Sequence, residues 1–185
     1  MNWRYRDPWE WAVIGLFWLA LAAAAAFFAW QALRSAWSLE LSQEVAAPPA
    51  AVFVWLTEGE KRIAWEPALI DYGRLTGAPD AAGATRLLYM RRADLRWRVA
   101  EEQTAIDPPR RWAVARDSRL GPKTIAVTLS PLKTGAATRL VWRETQTITG
   151  LRDRLTGWFT LRERRARMAS ALARLARLVE DAGGG

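Results

Sequence analysis

Two glutamates in this sequence continue alternations that are otherwise apolar. WRVAE sets Trp97, Val99 and Glu101 on one face of an extended segment, and LVWRE sets Leu140, Trp142 and Glu144 on one face of another. A carboxylate buried there alone would hold its proton to higher pH and could act as a general acid or base. The competing reading leaves each glutamate at a strand end in solvent, or paired with a neighbouring arginine. Tyr89 shares a face with Leu87, and its hydroxyl either meets a ligand or sits as the wet tip of a packed ring. Trp112 and Val114 share a face in the same way. Each of these side chains is a candidate lining for a cavity or an ordinary part of a core. None is assigned a catalytic role.

Other chemistry is excluded by composition. The chain of 185 residues has no histidine and no cysteine. Catalytic triads built on histidine, thiol chemistry, and zinc sites of His or Cys ligands are therefore absent. No cofactor and no metal is expected. The net charge of +8 comes largely from arginine.

The elements that would position these residues begin after an apolar stretch. WAVIGLFWLALAAAAAFFAW, Trp11 to Trp30, carries no charge. As a helix it spans roughly 30 Å, a bilayer hydrocarbon core. Trp9, Trp11 and Trp30 stand where interfacial aromatics belong. The expectation is a short tail over 1–10 and a transmembrane helix over 11–34, with a cleaved signal segment as the alternative. Arg4, Arg6 and the terminal amine precede the stretch and Arg34 follows it, which favours an extracytoplasmic soluble domain by a charge or two.

From Trp37 to Val45 the period is two, the pattern of a half-buried strand. Pro48-Pro49 introduces a short helix, AAVFVWLTE, and Gly59 separates it from EKRIAWEP, a second short helix or turn stopped by Pro67. Short strands follow over 69–75, 85–92, 95–106, 111–117, 124–130 and 138–147, with DPPRR, RLGPK and LKTGAA as turns. From Leu151 the period becomes helical: Leu151, Leu155, Trp158, Leu161, Met168, Leu172, Leu175 and Val179 share a face. The expected architecture is α+β, an antiparallel sheet of about seven strands curved around one long helix. Such a sheet leaves concave apolar space beneath the helix.

The order and punctuation resemble the START-like helix-grip (SRPBCC) superfamily, in its polyketide cyclase/dehydrase and lipid-transport branch. The resemblance rests on VAAPPAAVFVWLTE, IAWEPAL, GATRLLYM, IDPPRRWAV and GAATRLVWRET, in that order, and covers Trp37 to about Glu180, within a domain expected over 37–182 ahead of a short flexible tail over 183–185. It implies a ligand cavity between sheet and carboxy-terminal helix. On it, Leu87, Tyr89, Trp97, Val99, Glu101, Trp112, Val114, Leu140, Trp142, Glu144, Trp158, Leu161 and Met168 become the candidate lining. The expected function is binding of a hydrophobic small molecule or lipid by a membrane-anchored domain. The alternatives are a polyketide cyclase-like enzyme using Glu101, Glu144 or Tyr89, and a non-catalytic interaction domain. For the last, Arg162, Arg164, Arg165 and Arg167 would meet anionic membrane or a protein partner. No nucleic-acid partner is expected, because no recognition motif accompanies the arginines. Oligomeric state is not legible.

Overall fold

The computed structural model describes residues 8–78, 81–132 and 135–183, apart from the side chain of Trp158. Its elements run α1 (Pro8–Leu33), β1 (Ala36–Val45), α2 (Pro49–Thr57), α3 (Gly59–Trp65), β2 (Leu69–Tyr72), β3 (Thr85–Arg92), β4 (Leu95–Asp107), β5 (Arg111–Ser118), β6 (Gly121–Leu132), β7 (Ala137–Thr147) and α4 (Leu151–Gly183). All strand pairings are antiparallel, in the order β1-β7-β6-β5-β4-β3-β2. The fold is the α+β helix-grip: a curved seven-stranded sheet, two short helices after the first strand, and a long last helix.

The two short helices arise where the sequence breaks extension. Pro49 occupies the first turn of α2, where a missing amide hydrogen costs nothing. Gly59 opens α3 where any Cβ would run into the Tyr72 ring. The β2 strand is shorter than the alternation of 69–75 suggests, ending at Tyr72. RLGPK is tighter than expected. Only Arg119 and Leu120 separate β5 from β6, and Gly121 turns the chain at φ +129, with no room for a Cβ beside the Thr147 carbonyl. Lys123 therefore lies within β6 rather than in a turn. In LKTGAA, Lys133 and Thr134 lie outside the described residues.

The main core lies between the carboxy-terminal half of α4 and the sheet. Met168, Leu172, Leu175 and Val179 close over Leu39, Val114, Ile125, Val127, Leu129 and Leu140, with α2 adding Val52 and Leu56. Burying each such side chain is worth about 1.5–3 kcal/mol. A second, smaller cluster joins Leu69, Leu88, Met90 and Val99 with Ile63 and Tyr72. Leu151, expected on the apolar face of the last helix, is exposed, because α4 meets the sheet only beyond its first turns.

Helix α1 is long and apolar enough to cross a membrane, and its apolar window is unburied by the rest of the chain. Its last turn is docked on the domain. Gln31 is buried there, and Arg154 of α4 donates to the Ala32 carbonyl at 3.3 Å and to the Ile148 carbonyl at 3.1 Å. The Arg34 guanidinium lies 4.0 Å from the centre of the Trp30 ring.

Candidate functional site

The inner face of the sheet carries a transverse row of polar side chains. Arg86, Glu101, Arg116, Lys123, Gln146 and Trp37 are successive cross-strand partners from β3 to β1. The next row, Gln103, Val114, Ile125, Glu144 and Leu39, is apolar except for Gln103 and Glu144. The row after that brings Trp112, Val127, Trp142 and Leu41 into the main core. Strand pairing thus builds the polar row directly: each position faces inward by alternation, and register sets them side by side.

Helix α3 caps this row with ions. Arg62 is fully buried and donates to both oxygens of Glu101, at 2.8 and 2.9 Å, and to Glu66 Oε2 at 2.7 Å. Arg116 closes the quartet, with Nε 2.8 Å from Glu101 Oε2 and Nη1 2.6 Å from Glu66 Oε1. The Arg62 guanidinium also lies 5.0 Å from the Trp112 ring centre. Burial alone would raise both carboxyl pKa values. The two arginines outweigh it, holding Glu66 far below the usual carboxylate range and Glu101 at about 2. Burial likewise opposes the charge on Arg62, but Glu66 and Glu101 reverse the effect and raise it.

At the β7 end, Arg164 of α4 turns inward and holds Glu144, with Nε 3.0 Å from Oε1 and Nη2 2.8 Å from Oε2. Burial pushes Glu144 up, while Lys123 and Arg164 pull it below its ordinary value. Lys123 Nζ stands 3.9 Å from the same carboxylate, beyond hydrogen-bond reach. Burial, reinforced by Arg164, lowers the Lys123 ammonium to about 7.

The residues picked from sequence distribute as follows. Val99, Glu101, Trp112, Val114, Leu140, Trp142, Glu144 and Met168 are buried on the inner side, and Leu161 is half-buried against them. Trp97 shares the Val99 face but lies where the β3–β4 hairpin opens to solvent. The face assigned to Leu87 and Tyr89 is wrong: Leu88 and Met90 point inward instead, Leu88 opposite Val99. RLLYM is apolar at both parities, so alternation could not choose, and the Leu69 cluster decides. Tyr89 lies half-buried on the outer face, its ring centre 5.6 Å from the Arg98 guanidinium. The side chain of Trp158 lies outside the described residues. Of the four arginines assigned to a membrane surface, Arg162 and Arg165 are exposed and Arg167 pairs with Glu163 at 3.0 Å. Arg164 is instead part of the interior. Of the two readings of these glutamates, the arginine-paired one is what the structure holds. Glu101 and Glu144 are buried, but arginines keep both ionised.

Sequence reasoning missed Arg62, Glu66, Arg86, Arg116 and Lys123. Arg116 carried a usable signal, since it continues the parity of Trp112 and Val114. Arg62 and Glu66 are four apart, one helical turn, but so are many solvent pairs.

A groove of about 430 Å³ opens between α3 and α4, lined by Trp65, Pro67, Ala166, Arg167, Ser170, Ala171 and Arg174. Its floor is mostly apolar, with two arginines at the rim. Trp65 forms its inner wall and meets Trp142 edge-on at 6.1 Å, linking the groove to the main core. Among the described residues no cluster of His, Cys, Asp and Glu is arranged to hold a metal ion.

Comparison with solved structures returns the same architecture. An aromatase/cyclase, Zhui, from a Streptomyces species superposes with a TM-score of 0.64 at 16% identity, over 78% of this chain and 94% of that one. A Staphylococcus aureus protein of unknown function gives 0.64 at 9% identity, over 81% and 98%. A Nitrosomonas europaea protein gives 0.58 at 17%, over 80% and 97%. At these identities the likeness is one of fold. No curated protein matches the chain. A match over residues 36–180, from the first residue of β1 to within a turn of the end of α4, is to the family described as polyketide cyclase/dehydrase and lipid transport, and the chain belongs to that family.

Proposed function

We propose that this chain is a single-pass, membrane-anchored domain that binds a hydrophobic small molecule or lipid between its sheet and its carboxy-terminal helix. The observation that carries the reading is the groove between α3 and α4, which borders the sheet only through the Trp65–Trp142 contact, with its apolar floor of Trp65 and Ala171 and its rim of Arg167 and Arg174. An apolar body fits against the floor, and the rim arginines orient a polar end. Behind the groove, Trp112, Val114, Leu140, Trp142 and Met168 are packed as core, and a longer ligand would have to displace them to reach the sheet. The docked α1 helix supports delivery of such a molecule from the bilayer, where it is most soluble. The charge balance around α1 favours the domain lying outside the cytoplasm.

Binding is favoured over cyclase-like catalysis by the state of the two carboxylates. Glu101 and Glu144 are held ionised by bidentate arginines, which leaves neither near the pKa a general acid–base group needs. The test is native mass spectrometry of the full chain released from nanodiscs. Wild type is expected to retain a co-purified apolar species. Ala166→Trp, which fills the groove from the exposed side of α4, is expected to lose it. Wild type released empty, or a variant that keeps its ligand, would sink the reading.

A second reading has its own observation. The β3–β4 hairpin exposes Leu95 and Trp97 among Arg91, Arg92, Arg96 and Arg98, and Arg92 reaches Glu163 of α4 at 3.9 Å. Together with Arg162 and Arg165 this makes a basic, aromatic surface suited to an anionic lipid headgroup layer. Hydrogen exchange of the full chain in nanodiscs checks it. Residues 91–98 should gain protection when anionic lipid is added, and lose that gain when Arg96 and Arg98 become Gln.

A further inference from the structure

The interior of the domain is short of acceptors. Five cations, Arg62, Arg86, Arg116, Lys123 and Arg164, face three carboxylates, Glu66, Glu101 and Glu144. The surplus falls on either side of the ion quartet, at Arg86 and at Lys123. Arg86 approaches Glu101 Oε1 only at 3.5 Å, because Arg62 already holds that oxygen. Lys123 approaches Glu144 only at 3.9 Å, because Arg164 holds both of its oxygens. The buried polar side-chain atoms without a hydrogen-bond partner, among the described residues, are all N–H donors. They include the indole nitrogens of Trp37, Trp112 and Trp142. Trp112 and Trp142 are each only 1% exposed. No buried side-chain oxygen is left unpaired among those residues. Native interiors pair their polar groups, so the surplus on the polar row, to which the Trp37 indole belongs and the core indoles of Trp112 and Trp142 do not, marks a missing partner of the complementary kind.

The two sides differ in access. The surplus cation Arg86 is 8% exposed, next to the sealed Arg62 and Arg116, whereas Lys123 is 13% exposed and its neighbour Arg164 23%. The row runs on from Lys123 through Gln146 to Trp37, whose unpartnered indole nitrogen lies on the same side. Gln146 is fully used: its amide donates to the Gly121, Pro122 and Thr147 carbonyls and its oxygen accepts from Ser118. It therefore competes for nothing at this end.

We propose that the Lys123–Arg164 end of the row is a binding site for one anionic oxygen group, a carboxylate or phosphate, carried by the head of an amphiphile. Lys123 supplies an amine outside hydrogen-bond reach of Glu144, and Arg164 a cation shared with that glutamate. The inference rests on the ligand-binding reading for the apolar part of the molecule, and adds the chemistry of its head. The groups facing Lys123 are Arg116 from β5, Glu144 and Gln146 from β7, Arg164 from α4, and Glu66 at the carboxy-terminal cap of α3. Of these only the two glutamates favour its ammonium, and both are committed to arginines. An entering anion supplies what they do not.

The experiment uses the full chain in phosphatidylcholine nanodiscs with isotope-labelled lysine. The sequence has only Lys61, Lys123 and Lys133, so the Lys123 Nζ resonance is identified by Lys123→Arg. Octanoate, octanol and acetate are the probes. Octanoate should raise the Lys123 titration midpoint by about one unit and octanol should leave it in place. Octanoate should bind about tenfold tighter than octanol below pH 7, a preference lost in Lys123→Met and kept in Lys123→Arg. Acetate matching octanoate would retain the site and name a free ion as its occupant. Octanol binding as well as octanoate, with Lys123 unmoved, would overturn the anion site and leave the ligand-binding reading standing. Neither long-chain probe binding while acetate still moves Lys123 would do the reverse. No response of Lys123 to any anion overturns the proposal outright.

Discussion

The two halves of the sheet's inner face solve one packing problem in opposite ways. Toward α2 and the end of α4, the space is filled by Trp142, Val127, Leu140, Leu172, Leu175 and Val179. Toward α3 and the middle of α4, the same kind of space is filled by Arg62, Glu66, Glu101, Arg116, Glu144 and Arg164. The first half needs only shape and area. The second needs every charge matched, and a mismatch there is felt at full strength in a water-poor setting. A fold with one apolar face to cover has no structural reason to bury five ionisable groups and half-bury three more beneath it. The polar half is therefore where function is expected, and the apolar half is what holds it in register.

Several measurements sharpen or break this contrast, all by chemical denaturation of the full chain in detergent. Arg62→Met strips Glu66 and Glu101 of a shared partner and should cost about 3–5 kcal/mol. Replacing the quartet together, Arg62→Met, Glu66→Leu, Glu101→Leu and Arg116→Met, should restore or exceed wild-type stability. A quadruple variant as unstable as the single one would show that the ions themselves hold the domain together. In the apolar half, Leu175→Ala should cost about 2–5 kcal/mol with no dependence on pH.

Lys123→Met gives a smaller, pH-dependent effect. The lysine's folded pKa is lowered to about 7 from an ordinary 10.5, so below pH 7 it carries a buried charge at full cost. Between pH 7 and 10.5 the unfolded chain binds the extra proton, and wild-type stability should rise across that window. Lys123→Met should flatten the rise and be more stable at pH 6, by about 1–3 kcal/mol after allowing for partial solvation. At the acid end the sign reverses. Glu101, depressed to about 2, supports the fold above pH 4.5, and that support should fade as pH drops toward 2. The smallest effect belongs to the outer face. Glu40→Gln breaks an exposed pair with Arg143 and should change stability by less than about 0.5 kcal/mol.

Most of the fold was legible because its signals are local. The period-two runs, Pro48-Pro49, Gly59 and the switch at Leu151 each act within a few residues. The inner parity of β4, β5 and β7 followed from alternation of tryptophan, valine and leucine with charge. β3 failed because RLLYM is apolar on both faces, and only its contact with Leu69 and Val99 picks one. The site was half-legible. Glu101 and Glu144 stood out as charges on apolar faces. Their partners did not, because Arg62 reaches Glu101 across 39 positions and Arg164 reaches Glu144 across 20. In a chain this rich in arginine, nothing local marks which guanidinium goes inside.

The joint at Ala32 has a consequence for reach. Helix α1 ends at Leu33, β1 begins at Ala36, and Arg154 of α4 ties the last turn of α1 to the segment after β7. In the membrane-anchored reading the domain has no leash. It cannot swing out to a second membrane or search a volume for partners, and its height and tilt above the lipid are those of its own helix. Any exchange of cargo must happen with something diffusing in or against the same sheet of lipid. The protein would work as a fixed berth, with traffic coming to it in two dimensions.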